Sequence, residues 1–235
     1  MSIECNLIIS LLKLPKNEPA LIENVNRDAR LPSKFTRKLL EIMQNEGLVY
    51  LKADCVEVYS SSRLELAVKA ATLGADMQHV GRLLCWQEFE EMAAYSLKNN
   101  GYSVLNNVHF KQGGRRWEMD VVGCKKPLVL CIDCKHWQHT IAPSALQKIV
   151  DAQVQRTRAM AGSLPNAKLK LDCTKWKEAK FIPAILSLVP SSFKFIDEIP
   201  IVPILSLQDF IVQLPVYMDS VKFFSRSFVS LGHDF

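Results

Sequence analysis

The stretch from Arg115 to Trp137, RRWEMDVVGCKKPLVLCIDCKHW, constrains this chain more than any other. Two runs of strand-forming residues flank a Lys-Lys-Pro turn, as in a β-hairpin. Both carry charge where a buried strand should be apolar: Asp120 in the first, Asp133 and Lys135 in the second. Residues two apart on a strand share a face. Asp133 and Lys135 therefore point the same way, with Ile132 and Cys134 on the other side, and Glu118 shares a face with Asp120. Such a hairpin brings Asp120 beside Asp133, with Lys135 next to them. Two carboxylates held together repel, and burying them uncompensated is costly. A divalent cation such as Mg2+ resolves both difficulties, since it is commonly held by one or two carboxylates plus waters and substrate phosphate. The lysine then places positive charge where phosphate charge develops, or orients the attacking water. This pattern fits metal-dependent cleavage of a phosphodiester. The plainer reading is a solvated edge whose charges guard against aggregation.

Charge distribution points the same way. Residues 76–180 hold 16 Lys/Arg against 10 Asp/Glu, whereas residues 1–75 are nearly balanced and residues 181–235 are slightly acidic. A basic segment around the hairpin suggests a polyanionic partner. No apolar run approaches the length of a membrane-spanning helix, so no membrane partner is expected. Glu4 and Asn6 break any secretory apolar region, and seven scattered cysteines suit a reducing compartment, so the expected location is cytoplasmic.

Along the chain, IECNLIISLLKL spaces Ile3, Leu7, Leu11 and Leu14 as a helix does, ending at Pro15. A short helix over Ala20 to Asn26 follows, then LPSKFTRKLLEIMQNEG, with Phe35, Leu39 and Met43 on one stripe and a stop at Gly47. LVYLKADCVEVY reads as a small hairpin. This order resembles a winged helix-turn-helix domain over about residues 1–60. The resemblance implies a third helix that presents Lys34, Arg37 and Lys38 to a DNA groove, although many such domains bind only proteins. From Arg82 the pattern becomes α/β: a helix with Trp86, Phe89, Ala93 and Leu97 on one stripe, a strand YSVLNNVHF, the hairpin, and a helix ending at Gly162. Two apolar strand-like runs and a closing helix, LQDFIVQL, follow. An aromatic tail after Tyr217 contains Phe223, Phe224, Phe228 and Phe235. Two domains are expected, residues 1–75 and residues 76–235.

Three stretches of the second domain resemble the PD-(D/E)XK nuclease superfamily, nearest to its Mrr-type and archaeal Holliday-junction-resolvase branches. WQEFEEMAAYSLKNNGYSV resembles the first helix, RRWEMDVVG the strand with the first metal-binding aspartate, and LCIDCKHW the (D/E)-x-K strand. The resemblance implies an α/β (α+β) fold with a central mixed sheet flanked by helices. It implies Glu90, Asp120 and Asp133 as ligands of Mg2+ or Mn2+, and Lys135 as the catalytic lysine. It implies double-stranded or branched DNA as substrate, and a homodimer that cuts two strands. Met119 stands where the family name has proline, Asp133 where glutamate is more usual, and Glu88 and Glu91 compete with Glu90. The helix after that strand often turns a glutamine toward the site, here Gln147 or Gln153.

Other residues complete the reading. Arg115 and Arg116, after Gly113-Gly114, are phosphate contacts that Lys111 can join. His109, His136 and His139 are possible bases that a metal-bound water does not need, and His136 and Trp137 flank the site. Cys131 and Cys134 form a C-x-x-C, but residues three apart on a strand face opposite sides, so packing is the simpler role than zinc. The competing function is a non-catalytic nucleic-acid-binding or regulatory protein on a nuclease-like scaffold, and an RNA-directed nuclease is a third.

Overall fold

A computed structural model describes residues 2–135, 137, 141–166, 168–188, 191–192 and 194–228. The chain divides into two compact units, up to Phe89 and from Glu90 onward. Among the described residues no helix is long and apolar enough to cross a membrane.

The first unit runs α1 (Ile3–Leu12), β1 (Ala20–Leu21), α2 (Ile22–Ala29), α3 (Ser33–Asn45), β2 (Tyr50–Lys52), β3 (Cys55–Glu57), α4 (Ser60–Thr72) and α5 (Met77–Leu83). Ser2 caps α1, its hydroxyl oxygen accepting the Cys5 N–H at 3.1 Å. Leu7, Ile8, Leu11 and Leu12 of α1 are all buried, so this helix is central to the unit rather than one-sided. The expected helix from Ala20 begins two residues late. Ala20 and Leu21 pair instead with Val56 and Cys55, giving a three-stranded antiparallel sheet of order β1-β3-β2. On α3 the buried stripe is Thr36, Leu40 and Met43, whereas Phe35 is exposed. Hydrophobicity alone favours Phe35; the helix is rotated by one residue from that choice.

A buried arginine ties this unit together. Arg63 Nε donates to Glu88 Oε1 at 2.7 Å, and its remaining nitrogens donate to the carbonyls of Leu12, Leu14 and Leu83. Burial would raise the Glu88 pKa, but the Cys85 N–H, Lys16 and Arg63 outweigh it and hold the carboxyl below its ordinary value. The fork geometry of a guanidinium suits one carboxylate and three carbonyls at once.

The next helix, α6 (Trp86–Asn99), contains the boundary between the units. Beyond it come β4 (Ser103–Gln112), β5 (Arg115–Lys125), β6 (Leu128–Lys135), α7 (Pro143–Ser163), β7 (Glu178–Ser187), β8 (Phe195–Ile196), β9 (Ile199–Pro203), α8 (Leu207–Gln213) and β10 (Phe224–Ser227). The mixed sheet has the order β4-β5-β6-β7-β9-β8, and β10 also pairs with β7. Strands β4, β5 and β6 form an antiparallel meander; β6, β7 and β9 run parallel. The Gly113-Gly114 turn has positive φ at both residues, as the tight two-residue hairpin between β4 and β5 requires.

Helix α7 packs on one sheet face, where Val129, Cys131, Phe181, Met160 and Ala161 share a cluster. Leu97 of α6 covers the other face at Gly123, where an added Cβ would lie 2.9 Å from Leu97 Cδ1. The aromatic tail divides: Phe224 and Phe228 pack against the α7-side cluster, while Phe235 lies outside the described residues.

Replacing Arg63 with methionine strands three carbonyls and leaves Glu88 only Lys16 and the Cys85 N–H. The expected loss is about 3–5 kcal/mol, read by denaturant titration of the whole chain. A loss below about 1 kcal/mol would contradict the role given to this pair.

Candidate active site

The site forms where the β5–β6 ladder stops. The last pair is Val121↔Ile132, and the next residue on each strand is Asp120 and Asp133. Past this point β5 continues beside β4 alone, and β6 beside β7 alone. Two strands parting in this way leave backbone groups to be satisfied by side chains. Asp120 does so: its Oδ2 accepts the Cys134 N–H at 2.7 Å.

Asp120 also sits at a change of strand face. Met119 and Val122, three apart, belong to the same α7-side cluster, as do Leu105 and Val108 on β4. In a regular strand such residues face opposite ways. Between them the cross-strand register omits the Asn107–Asp120 pair, and Asn107 has φ +50°. The face relation expected between Glu118 and Asp120 therefore does not extend across this kink. Glu118 is exposed, and Asp120 is half-buried at the gap.

Asp133 follows the period-2 expectation. It shares the α7 face with Cys131 and Lys135, and its side chain is 3% exposed. Lys135 Nζ lies 2.8 Å from Asp133 Oδ2, and Arg156 of α7 donates to Oδ1 at 2.5 Å. Glu90 of α6 is buried, and its charge, with those of Asp120 and Asp133, is felt at the Cys134 thiol on the opposite face of β6. That thiol is pushed well above its ordinary value, first by burial and then by these carboxylates. Asp120 is likewise raised, first by burial; Asp133 adds to the effect, and the Cys134 N–H, Lys135 and Arg156 oppose it. A carboxylate disfavoured in this way is one that a nearby cation would stabilise.

The donors fit a hard divalent ion, since they are carboxylate oxygens. Asp120 and Asp133 would hold it; Glu90, buried on α6, acts electrostatically at Cys134, on the face of β6 opposite Asp133. Among the described residues no three His, Cys, Asp or Glu side chains converge into a ready-made cage. Zinc is poorly served, because β6 is an unbroken strand that sends Cys131 and Cys134 to opposite faces, and burial pushes both thiols upward.

Helix α7 places the two glutamines differently. Gln153 is fully buried and donates to the Cys131 carbonyl at 2.8 Å, whereas Gln147 bonds Asp151 and Asp197 in an exposed position. The sequence reading missed Arg156. Its one signal is the spacing from Gln153, since residues three apart on a helix are neighbours. Glu88 is committed to Arg63, and Glu91 is exposed.

The remaining candidates spread out. Lys111, Arg115 and Arg116 are exposed on the β4–β5 hairpin, where Lys111 and Arg116 are cross-strand partners and Arg115 stacks 4.0 Å from the Trp117 ring centroid. His109, Lys111, Arg116, Trp117, Asn166 and Lys168 line a groove of about 580 Å³. In the first unit, Lys34, Arg37 and Lys38 are exposed on α3, and Arg37 pairs with Asp54 at 3.3 Å. Trp137 packs half-buried against Leu146, Val150 and Ile199. His136 and His139 lie outside the described residues.

Comparison with known proteins bears on the same segment. Residues 86–168 match the family model NERD, the nuclease-related domain, which is a PD-(D/E)XK-like nuclease domain. An uncharacterized protein of Archaeoglobus fulgidus is 29% identical over 139 residues, covering 59% of this chain and 98% of that protein. Among solved structures, a protein of unknown function, AF1548, aligns at 17% identity and TM-score 0.28, over 42% of this chain and 46% of its own. Protein VC1899 from Vibrio cholerae aligns at 12% identity and TM-score 0.41, over 93% of this chain and 52% of its own. The chain thus spans about half the length of these two structures.

The raised Asp120 pKa predicts a pH effect. Its contribution to stability is full below the unfolded carboxylate pKa and is lost as pH rises through the folded one. Asp120→Asn keeps an oxygen for the Cys134 N–H and removes the charge. The metal-free variant is expected to melt a few degrees above wild type near pH 8, with the gap closing toward pH 4. A variant less stable at every pH would contradict this.

Proposed function

We propose that this chain is a Mg2+- or Mn2+-dependent endonuclease that hydrolyses DNA phosphodiester bonds. The observation that carries the reading is the end of the β5–β6 ladder. There Asp120 and Asp133 lie just past the last β5–β6 pair, with Lys135 and Arg156 paired to Asp133, inside a segment similar to nuclease-related domains. A divalent ion bound by these carboxylates supplies Lewis acidity and an activated water. Lys135 places an ammonium where charge grows on the phosphate. Asp120, raised by burial, gains most from a cation at its side.

The basic groove on the β4–β5 hairpin supports a nucleic-acid track to this site, with Lys111, Arg115 and Arg116 as phosphate contacts. The order α1-β1-α2-α3-β2-β3 and the β1-β3-β2 sheet support a winged-helix reading of the first unit, with Lys34, Arg37 and Lys38 toward DNA. The exposed Phe35 and Ile42 on the same helix equally suit a protein partner. Seven free cysteines accord with a cytoplasmic setting.

One observation favours the non-catalytic alternative: both Asp133 oxygens already have cationic partners. Cleavage of duplex, branched and single-stranded DNA and of RNA with Mn2+ separates the readings. Asp120→Asn, Asp133→Asn and Lys135→Ala are each expected to lower cleavage by about 10²-fold or more. Unchanged cleavage in any of them overturns its role. Lys111→Ala and Arg116→Ala should weaken binding across sequences and reduce the salt slope by about one each. Steeply salt-dependent binding by a wild type that neither cuts nor takes up divalent metal would establish the binding module instead.

A further inference from the structure

Arg156 is placed with more care than an incidental ion pair needs. Gln153, fully buried one turn before it, is fixed by donating to the Cys131 carbonyl at 2.8 Å. The Gln153 amide oxygen accepts from Arg156 Nη1 at 2.9 Å. That same nitrogen donates to Asp133 Oδ1 at 2.5 Å, while Lys135 holds Oδ2. A carboxylate that would coordinate a metal thus has a cation on each oxygen. A divalent ion approaching Oδ1 meets a guanidinium held there by a buried amide, and like charges at that distance repel strongly. The Arg156 side chain is 23% exposed, so its head group has access to solvent and to a ligand there. A planar guanidinium pairs with phosphate as readily as with carboxylate.

We propose that Arg156 is a positioning residue that occupies Asp133 until a nucleic-acid phosphate draws it away, which frees Oδ1 for the metal. This rests on the nuclease reading of the same site. It makes metal and polyanion bind with positive coupling, and coupling of this kind is reciprocal. Loading of the metal is thereby tied to the arrival of substrate. The two positive charges beside Asp133 then have separate duties: Lys135 stays, and Arg156 moves.

The test is Mn2+ binding to the full chain, followed by the loss of the free-ion paramagnetic resonance signal. It is run with and without a DNA oligonucleotide made cleavage-resistant by phosphorothioate linkages. For wild type, the oligonucleotide is expected to tighten Mn2+ binding by about tenfold or more, the worth of one charge-assisted hydrogen bond. Arg156→Met, which keeps the stem and removes the charge, should bind Mn2+ about tenfold more tightly than wild type without DNA and gain less than about threefold from it. Arg156→Gln should behave alike, and circular dichroism confirms that each variant is folded. Asp133→Asn should abolish the tight site, which shows that the titration reports this carboxylate.

Wild-type affinity and wild-type coupling retained in both arginine variants would overturn the proposal while leaving the metal site in place. Absence of Mn2+ binding in wild type, with or without oligonucleotide, would remove the metal-dependent reading itself. Coupling without any strand cleavage would uphold the role of Arg156 and count against catalysis.

Discussion

When two antiparallel strands part, groups that had backbone partners must find others. At the end of the β5–β6 ladder the partner is a carboxylate, and that substitution shapes the rest of the site. The Cys134 N–H donates to Asp120, which fixes the carboxyl in the gap and leaves it half-buried near Asp133. The gap exists because β5 stays with β4 while β6 stays with β7. Both neighbours are held in turn: β4 by its tight turn at Gly113-Gly114, and β7 by β9 and β10 along its far edge. The charges at the centre of the sheet are thus a property of the topology as much as of the residues.

Two buried acids illustrate how ion pairs of similar depth differ in the exposure of their partners. Glu88 and Arg63 are both almost wholly enclosed, and the arginine also serves three carbonyls. Of the cations on Glu88, Arg63 is enclosed and Lys16 alone reaches solvent. Asp133 is as deeply buried, but its partners Lys135 and Arg156 are each about a quarter exposed. Such a pair can exchange one cation for another. Burial makes the exchange consequential, because a carboxylate of low exposure does not remain charged without a partner. The two carboxylates differ in that one cation of Glu88 is enclosed, whereas both cations of Asp133 reach solvent.

Much of this was legible in the sequence, and the failures have identifiable causes. Period-2 alternation placed Asp133 with Lys135 and separated Cys131 from Cys134, because β6 is regular from Leu128 to Lys135. It failed at Asp120, where Asn107 adopts a left-handed backbone and the pair drops out of the register. No local pattern announces that kink. Periodicity also found α7 but not Arg156, since an arginine on a polar helix reads as solvated until the opposite sheet face is known. On α3, apolarity pointed to Phe35 where the helix buries Thr36. The two-residue strand Ala20–Leu21 and the return of Phe224 to β7 depend on distant partners, which spacing along the chain cannot reveal.

The central claim is that Asp120 and Asp133 together hold a divalent ion at the end of this ladder. Anomalous diffraction from crystals grown with Mn2+ and a cleavage-resistant oligonucleotide tests it most directly. The account predicts an anomalous peak at about 2.1 Å from oxygens of both carboxylates, with the Arg156 guanidinium on a phosphate. A dominant peak elsewhere, or no peak while Asp133 keeps both of its cations, would contradict it.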